Sequence, residues 1–348
     1  MPDLLDSVSR RNRSDRGECS TRGRKLVTYR RRGIDLGPSS LLIFVPMPLF
    51  FFVGGFFADR SLRLPWRRMV DSEGARLLYV YIVWSTLTFL LVNAPGAALA
   101  GRDVPWSRLF TIFVDPFQTL WFAYALALTY GLARLFAGVP KIITAALLIA
   151  LYVISVSAGN WFNVPFIDRL VRLTPFFFVG VVSFPLISSL VPSYARWWPC
   201  AAVLYLGLAA VTLKLELAWL GPITMAVSLI GIGAVLLFCG WLQRFDKVVR
   251  PINLLGASSF CVFALHQIVM FYWRPIGKFL DLPDPAEQVL AIVAAVIGSL
   301  LLGVAILRFA PWLFYVPWQR KRDETPAVER ASARLPVSTN VGKLGWRR

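Results

Sequence analysis

The chain has 348 residues, of which 57% are hydrophobic and 16% charged, and its formal net charge is +18. A soluble domain carries about 25% charged residues, so this composition excludes a soluble protein. Lys and Arg crowd the two ends and a few short connections, which is typical of a membrane protein and excludes a nucleic-acid reader. The continuous apolar runs predict an all-α polytopic integral membrane protein rather than an outer-membrane barrel.

The apolar runs predict about nine transmembrane helices, which form one membrane domain over residues 39–310. Residues 1–38 are expected to be a basic segment that is disordered or aberrant, and 311–348 a basic disordered cytoplasmic tail. The predicted spans are 39–58, 77–94, 116–136, 142–158, 173–191, 198–213, 217–241, 254–273 and 287–310.

The basic residues of the connections predict the topology. Residues 59–76 hold five Lys or Arg and 243–252 hold three, whereas 95–115 and 159–172 hold two each. The positive-inside rule therefore places 59–76, 243–252 and the C-terminus in the cytoplasm. Residues 1–38 then lie outside, although they hold ten Lys and Arg. We expect that a helix before residue 39 is missing through a wrong start, a frameshift or a truncation. The alternative is that 39–58 re-enters the membrane or lies in its interface.

Four segments of the chain carry motifs of one known family. They are PMPLFFFVGGFFADRSL (46–62) with the basic loop that follows, QTLWFAYALALTYGLARL (118–135), TPFFFVGVV (174–182) and LGASSFCVFALHQIV (255–269). In this order they resemble the membrane-bound acyltransferases of the acyltransferase-3 family. The resemblance covers about residues 46–273 and implies about ten helical spans.

The resemblance also implies an activity. The expected reaction is transfer of an acetyl or succinyl group from cytoplasmic acyl-CoA to a sugar hydroxyl of an envelope polysaccharide or a lipid-linked saccharide. Acyl-CoA is then the donor co-substrate, with no permanently bound cofactor and no metal. The carbohydrate acceptor and the lipid bilayer are the other expected partners, and the oligomeric state is open. A composition with much Arg, Ala and Leu and little Lys indicates a bacterial source, hence the cytoplasmic membrane.

The chain departs from the family at two places. The principal histidine of the family lies on its first span with an arginine upstream, and this chain has neither. The Ser-Gly pair expected in the second span reads Gly54-Gly55. The resemblance therefore leaves open whether this copy is active.

His266 is the only histidine of the chain and lies in an apolar run. Transfer from a thioester to a hydroxyl needs a base, and histidine is the commonest one, so His266 is the candidate catalytic residue. Ser259 and Arg274, which lie seven residues before and eight after it, fall within one side of a helix and are predicted to contact substrate. One alternative is that His266 positions or contacts the substrate without acting as the base. The other is a histidine that bonds a neighbouring helix, with serines that permit close packing.

The basic connection 59–76 supplies the predicted seat for the phosphates of acyl-CoA, because guanidinium groups bind phosphate bidentately. Its candidate residues are Arg63, Arg67, Arg68 and Arg76. The alternative is a topology signal with lipid contact. Trp121 is predicted to line an acyl or pantetheine tunnel, and the alternative there is core packing or an interfacial belt.

Two other functions fit the same hydropathy. A transporter or flippase for a small molecule or a lipid-linked glycan would use His266 as a proton relay. Against it, the sequence has no matching halves with interrupted spans. A non-catalytic remnant or partner subunit is the other alternative.

Overall fold

The computed structural model describes residues 41–69, 74–116, 120–157, 164–280 and 284–316. Within these ranges the chain is helical and contains no strand. The predicted segment 1–38 and all but the first residues of 311–348 lie outside them. The long helices are α1 (Pro46–Leu62), α2 (Ala75–Leu99), α3 (Trp121–Leu135), α4 (Lys141–Ser157), α5 (Pro165–Tyr194), α6 (Trp198–Lys214), α7 (Gly221–Leu242), α8 (Asp246–Leu280) and α9 (Asp284–Phe309).

Each predicted span coincides with one of these helices, so the prediction of an all-α polytopic membrane protein is confirmed. Within the described residues, four helical stretches are long and apolar enough to cross a membrane by themselves. They are Ala75–Leu99, Pro165–Lys214, Gly221–Leu242 and Ala286–Phe309. The apolar helices Leu42–Ala58 and Lys141–Val156 are shorter.

Helices α1 and α5 are in close contact, and two glycines make this contact possible. The carbonyl oxygen of Phe177 lies only 1.8 Å from the position that a Cβ on Gly55 would occupy. Gly180 faces the carbonyl oxygen of Phe52 in the same way, at 2.2 Å. The ring of Phe56 packs on Phe184 at 4.7 Å. Met47 shares a cavity with Arg172, and Arg63 shares another with Pro185, so the two helices run side by side in the same direction. Residues 39–58 therefore contain a helix that lies along the long apolar helix α5.

The second half of the bundle is built from α2, α8 and α9. Arg76 and Phe260 line one cavity, and farther along the same two helices the hydroxyl of Tyr272 donates to the carbonyl of Leu91 at 3.0 Å. Helices α2 and α8 therefore also run in the same direction. Under the predicted topology, the cavity at Arg76 lies toward the cytoplasm and the hydrogen bond lies toward the outer surface.

Helix α2 contains a π-turn over Phe89–Asn93, which ends two residues before Pro95. A proline has no N–H, so Pro95 cannot donate to the carbonyl four residues earlier, which belongs to Leu91. The hydroxyl of Tyr272 donates to that same carbonyl. The irregular turn thus gives α8 a polar attachment point on α2, and such turns are frequent at functional sites.

The connection after α2 does not stay at the end of that helix. Helix α2 continues to Leu99, and the chain then returns along it. Trp106 packs on Phe89 at 5.5 Å, and the hydroxyl of Tyr81 donates to the carbonyl of Ile112. Tyr81 lies 18 residues before Leu99, about 27 Å along the helix axis. The connection therefore descends into the bundle, where Ile112 is buried against protein, as non-helical backbone at membrane depth requires.

Candidate functional site

His266 lies on a cavity of about 410 Å³ between α8 and the π-turn of α2. A volume of this size is sufficient for a small ligand. Arg274 lines the same cavity. It lies eight residues after His266 on the same side of α8, about 12 Å away along the helix axis. The cavity is lined by Val92, His266, Gln267, Met270, Phe271 and Arg274.

The hydrogen bonds of His266 define which ring nitrogen carries the hydrogen. Its Nδ1 atom lies 2.8 Å from the carbonyl oxygen of Phe263 and 3.1 Å from that of Val262. Carbonyl oxygens only accept, so Nδ1 is the donor in the neutral ring and Nε2 keeps its lone pair. The helix itself thus holds the imidazole in the form that can accept a proton at Nε2. The side chain is half-buried, and its ring lies 6.3 Å from the ring of Phe263.

Two polar groups accompany this imidazole. Gln267 is half-buried, and its Oε1 atom is buried with no hydrogen-bond partner among the described residues. A buried amide oxygen without a donor is costly, so a ligand donor would find a ready partner there. Arg274 is exposed at the other end of the cavity and places a guanidinium at its mouth.

Ser259 does not line this cavity. Its hydroxyl donates to the carbonyl of Gly256 in its own helix at 2.7 Å, and its side chain is exposed. The predicted side of α8 therefore brings together the histidine and the arginine, whereas the serine lies about 10 Å farther toward the other end of the helix.

Arg76 lines a separate cavity of about 280 Å³ at the other end of the α2–α8 contact. Its walls are apolar and aromatic, with Phe260, Cys261 and Phe314 among them. Cys261 precedes His266 by five residues, so the two cavities are separated by about 8 Å along α8.

Arg63 lies elsewhere, at the end of α1. It lines a cavity of about 580 Å³ together with Lys141 of α4, and both residues also border a neighbouring cavity of about 160 Å³. The four predicted phosphate ligands therefore do not form one described cluster, since Arg63 and Arg76 face different cavities. Arg67 and Arg68 lie on a short helical turn, Trp66–Met69, and their side chains are outside the described part of the chain.

Trp121 opens α3 and is buried, with 8% of its surface exposed. The guanidinium of Arg169 lies 5.4 Å from the centre of its ring, a cation–π distance. The indole also belongs to the aromatic core between α1, α3 and α5. It lines neither the His266 cavity nor the Arg76 cavity.

Two residues that line these cavities are not predicted as site residues from the sequence. Gln267 follows His266 directly, and a polar amide inside an apolar run was the signal that could have identified it. Lys141 begins an apolar helix, where a lysine is the usual interfacial anchor, so nothing local distinguished it. Within the described residues, no group of three or more His, Cys, Asp or Glu side chains comes together to hold a metal ion.

Comparison with known proteins identifies a family whose model matches most of this chain. The model of the acyltransferase-3 family, described as an acyltransferase domain, matches residues 26–308. The matched region includes α1 to α8 and nearly all of α9, and so every predicted site residue. No curated protein and no solved structure matches the chain.

Proposed function

Because the chain belongs to the acyltransferase-3 family and is a membrane acyltransferase, we propose that it transfers an acetyl or succinyl group from acyl-CoA to a sugar hydroxyl. The acceptor is an envelope polysaccharide or a lipid-linked saccharide at the outer side of the bacterial cytoplasmic membrane. The observation that carries the proposal is the cavity in which His266, Gln267 and Arg274 meet inside a membrane bundle. Ionisable groups at such positions are costly, which favours a functional role over a packing role.

The tautomer of His266 suits it to the role of general base. In the proposed step, Nε2 takes the proton of the sugar hydroxyl while the hydroxyl oxygen attacks the thioester carbonyl carbon. The carbon–sulfur bond then breaks, and the imidazolium returns the proton to the departing thiolate of CoA. The reaction needs no metal or further cofactor, and its products are the sugar ester and free CoA.

The other polar groups of the cavity have roles in the same step. The guanidinium of Arg274 and the amide group of Gln267 are the donors available for the negative charge that develops on the thioester oxygen. Arg274, at the exposed mouth, also offers hydrogen bonds to the sugar. The apolar residues Val92, Met270 and Phe271 reduce water access, which strengthens these interactions.

The donor is proposed to approach from the opposite end of α8. Arg76 stands at the apolar cavity toward the cytoplasm, and its guanidinium matches the phosphates of CoA. From there the thioester arm has about 8 Å of helix to pass between Cys261 and His266. The predicted cytoplasmic C-terminus agrees with this direction. Arg63, with Lys141, is the alternative phosphate seat.

The test is acyl transfer by the purified full chain in proteoliposomes, with isotope-labelled acetyl-CoA or succinyl-CoA and isolated envelope glycan. Label on the glycan, confirmed by its mass shift, is the readout. We expect His266→Gln to lower the rate by at least ~100-fold, the usual contribution of a general base. The matched control is Ser189→Ala, an exposed serine of α5 whose hydroxyl bonds its own helix. It should keep the full rate.

Arg76→Gln separates donor binding from chemistry. It should raise the KM for acyl-CoA by about tenfold and leave kcat within about twofold, because a charge-assisted phosphate contact contributes about 1.5–3 kcal/mol. An unchanged KM in Arg76→Gln and a raised KM in Arg63→Gln would move the donor to the α1 cavity. No transfer by correctly folded wild-type protein would contradict the proposal and favour a transporter.

A further inference from the structure

A second polar cavity, of about 220 Å³, lies in the other half of the bundle, away from α2 and α8. Tyr152 of α4, Arg172 of α5, and Thr224 and Ser228 of α7 all line it. Three helices thus contribute a guanidinium and three hydroxyl groups to one cavity. None of these residues lines the His266 cavity or the Arg76 cavity.

Close packing of α7 on α4 brings the hydroxyl groups of Tyr152, Thr224 and Ser228 to the same cavity. A Cβ on Gly221 would lie 2.8 Å from both the Cα and the carbonyl oxygen of Val153, so only glycine allows this approach. One turn later, Thr224 lines the same cavity as Tyr152, and its hydroxyl donates to the carbonyls of Leu220 and Gly221 in its own helix, at 2.9 and 3.1 Å. Arg172 is near enough to act electrostatically on the same tyrosine. The arrangement therefore follows from packing of the backbone and is built into the fold.

The polar groups are buried at a depth where polarity is costly. Tyr152, Thr224 and Ser228 are 6%, 8% and 3% exposed. Asp168 lies one helical turn before Arg172 on α5 and is also buried, at 4%. Arg172 is an ionisable side chain within the membrane bundle, and such a side chain is a candidate functional site by default.

The remaining walls of the cavity are apolar, and it opens at the surface of the bundle. Met47, Val156 and Phe176 form part of the wall, and Ile43 at the rim is 68% exposed. The cavity lies near the end of α4 and the beginnings of α1, α5 and α7. The predicted topology places all four of these helix ends at the outer surface. A ligand for this site therefore needs a polar group that accepts hydrogen bonds and an adjacent apolar chain.

We propose that this cavity binds the phosphate group of a lipid in the outer leaflet. The oxygens of a phosphate accept from the guanidinium of Arg172 and from the hydroxyls of Tyr152 and Ser228. The apolar wall contacts the first methylene groups of the lipid chain. The same chemistry is offered by a bilayer phospholipid and by the polyprenyl phosphate part of a lipid-linked saccharide. The proposal concerns binding alone, so it stands independently of acyl transfer.

The test is lipid binding to the purified full chain in detergent, measured by native mass spectrometry. Three probes are titrated, namely phosphatidylglycerol, a polyprenyl monophosphate, and diacylglycerol, which has the acyl chains but no phosphate. The wild type should bind a phosphate-bearing probe at least ~10-fold more tightly than diacylglycerol, as charge-assisted hydrogen bonds require. Arg172→Gln should remove at least ~10-fold of that preference, and Ser228→Ala about threefold, for the loss of a charged and of a neutral donor.

The matched control is Arg196→Gln, an exposed arginine beyond the other end of α5, which should bind all three probes as the wild type does. Equal affinity for phosphatidylglycerol and the polyprenyl phosphate would support the site and identify a bilayer lipid as its occupant. A preference for the polyprenyl phosphate would support it and identify a polyprenyl-linked lipid as its occupant. Equal binding of diacylglycerol, or an undiminished preference in Arg172→Gln, would overturn the proposal. If Arg172→Gln does not fold, by gel filtration and circular dichroism, Ser228→Ala decides.

Discussion

The α1–α5 contact and the α2–α8 contact carry the same kind of sequence signal but use it differently. Both contain segments that resemble one family, PMPLFFFVGG and TPFFFVGVV in the first and LGASSFCVFALHQIV in the second. In the first contact the motif residues are glycines and phenylalanines, and they set the distance between two backbones. In the second contact the motif residue His266 faces a polar cavity.

The role of a motif residue therefore depends on the residues or the cavity that it contacts in the folded protein. Gly55 allows the backbone of Phe177 on the adjacent helix to approach closely, and this packing role alone explains why a glycine is needed there. His266 already has backbone partners within its own helix, yet its second ring nitrogen is left to a cavity that Arg274 also lines. The first contact is therefore a structural element, and the second is the candidate active site.

The largest expected effect is on the first contact. Gly55→Ala would place a Cβ 1.8 Å from the carbonyl oxygen of Phe177, and the two helices would have to separate. We expect a loss of about 3 kcal/mol or more in unfolding free energy, measured by thermal unfolding in detergent. The control is Gly131→Ala on α3, where a Cβ would meet nothing within 4 Å. An unchanged Gly55→Ala melting curve would refute the close α1–α5 contact.

The second-largest effect is expected at the α2–α8 contact, where one substitution should lower the rate of acyl transfer without lowering the unfolding free energy. Gln267→Leu removes a buried amide oxygen that has no partner among the described residues. The unfolding free energy should stay the same or rise, because an unsatisfied polar group is lost. Acyl transfer should fall by about tenfold, since a hydrogen bond to the reacting group is missing. Unchanged transfer would show that the amide takes no part in the reaction.

A smaller effect is expected at the attachment of α8 to the π-turn. Tyr272→Phe deletes the hydrogen bond to the carbonyl of Leu91 and should cost about 0.5–1 kcal/mol of unfolding free energy. Tyr194→Phe, an exposed tyrosine at the end of α5, is the control and should leave the melting curve unchanged. Equal melting curves for the two variants would mean that Pro95 leaves no carbonyl in need of this partner.

The smallest effect is expected for Ser259→Ala. The hydroxyl is exposed, bonds its own helix and lies outside the His266 cavity, so both transfer rate and stability should stay within about twofold and 0.5 kcal/mol. A tenfold loss of transfer would instead extend the active site along α8 to the serine. It would restore the predicted polar face from Ser259 to Arg274.

The sequence predicted the helices well because their signal is local. Each apolar run is long enough to require a helix in a bilayer, and each predicted span is occupied by one. The order of four motifs also predicted the family that the match over residues 26–308 establishes. The descent of the 100–116 connection was missed because its partners, Tyr81 and Phe89, belong to another part of the chain.

The sequence by itself determined that the chain is a polytopic membrane acyltransferase with one histidine in a late span. Composition, run length and motif order are properties of the chain read in order. Only the tertiary structure decided which residues share a cavity. It separated Arg63 from Arg76, excluded Ser259 from the cavity that holds His266 and Arg274, and brought Arg172 to Tyr152 and Thr224. The sequence determines the side of a helix on which a residue lies, because helix periodicity is local. The neighbours and the burial of that residue depend on how the helices pack together.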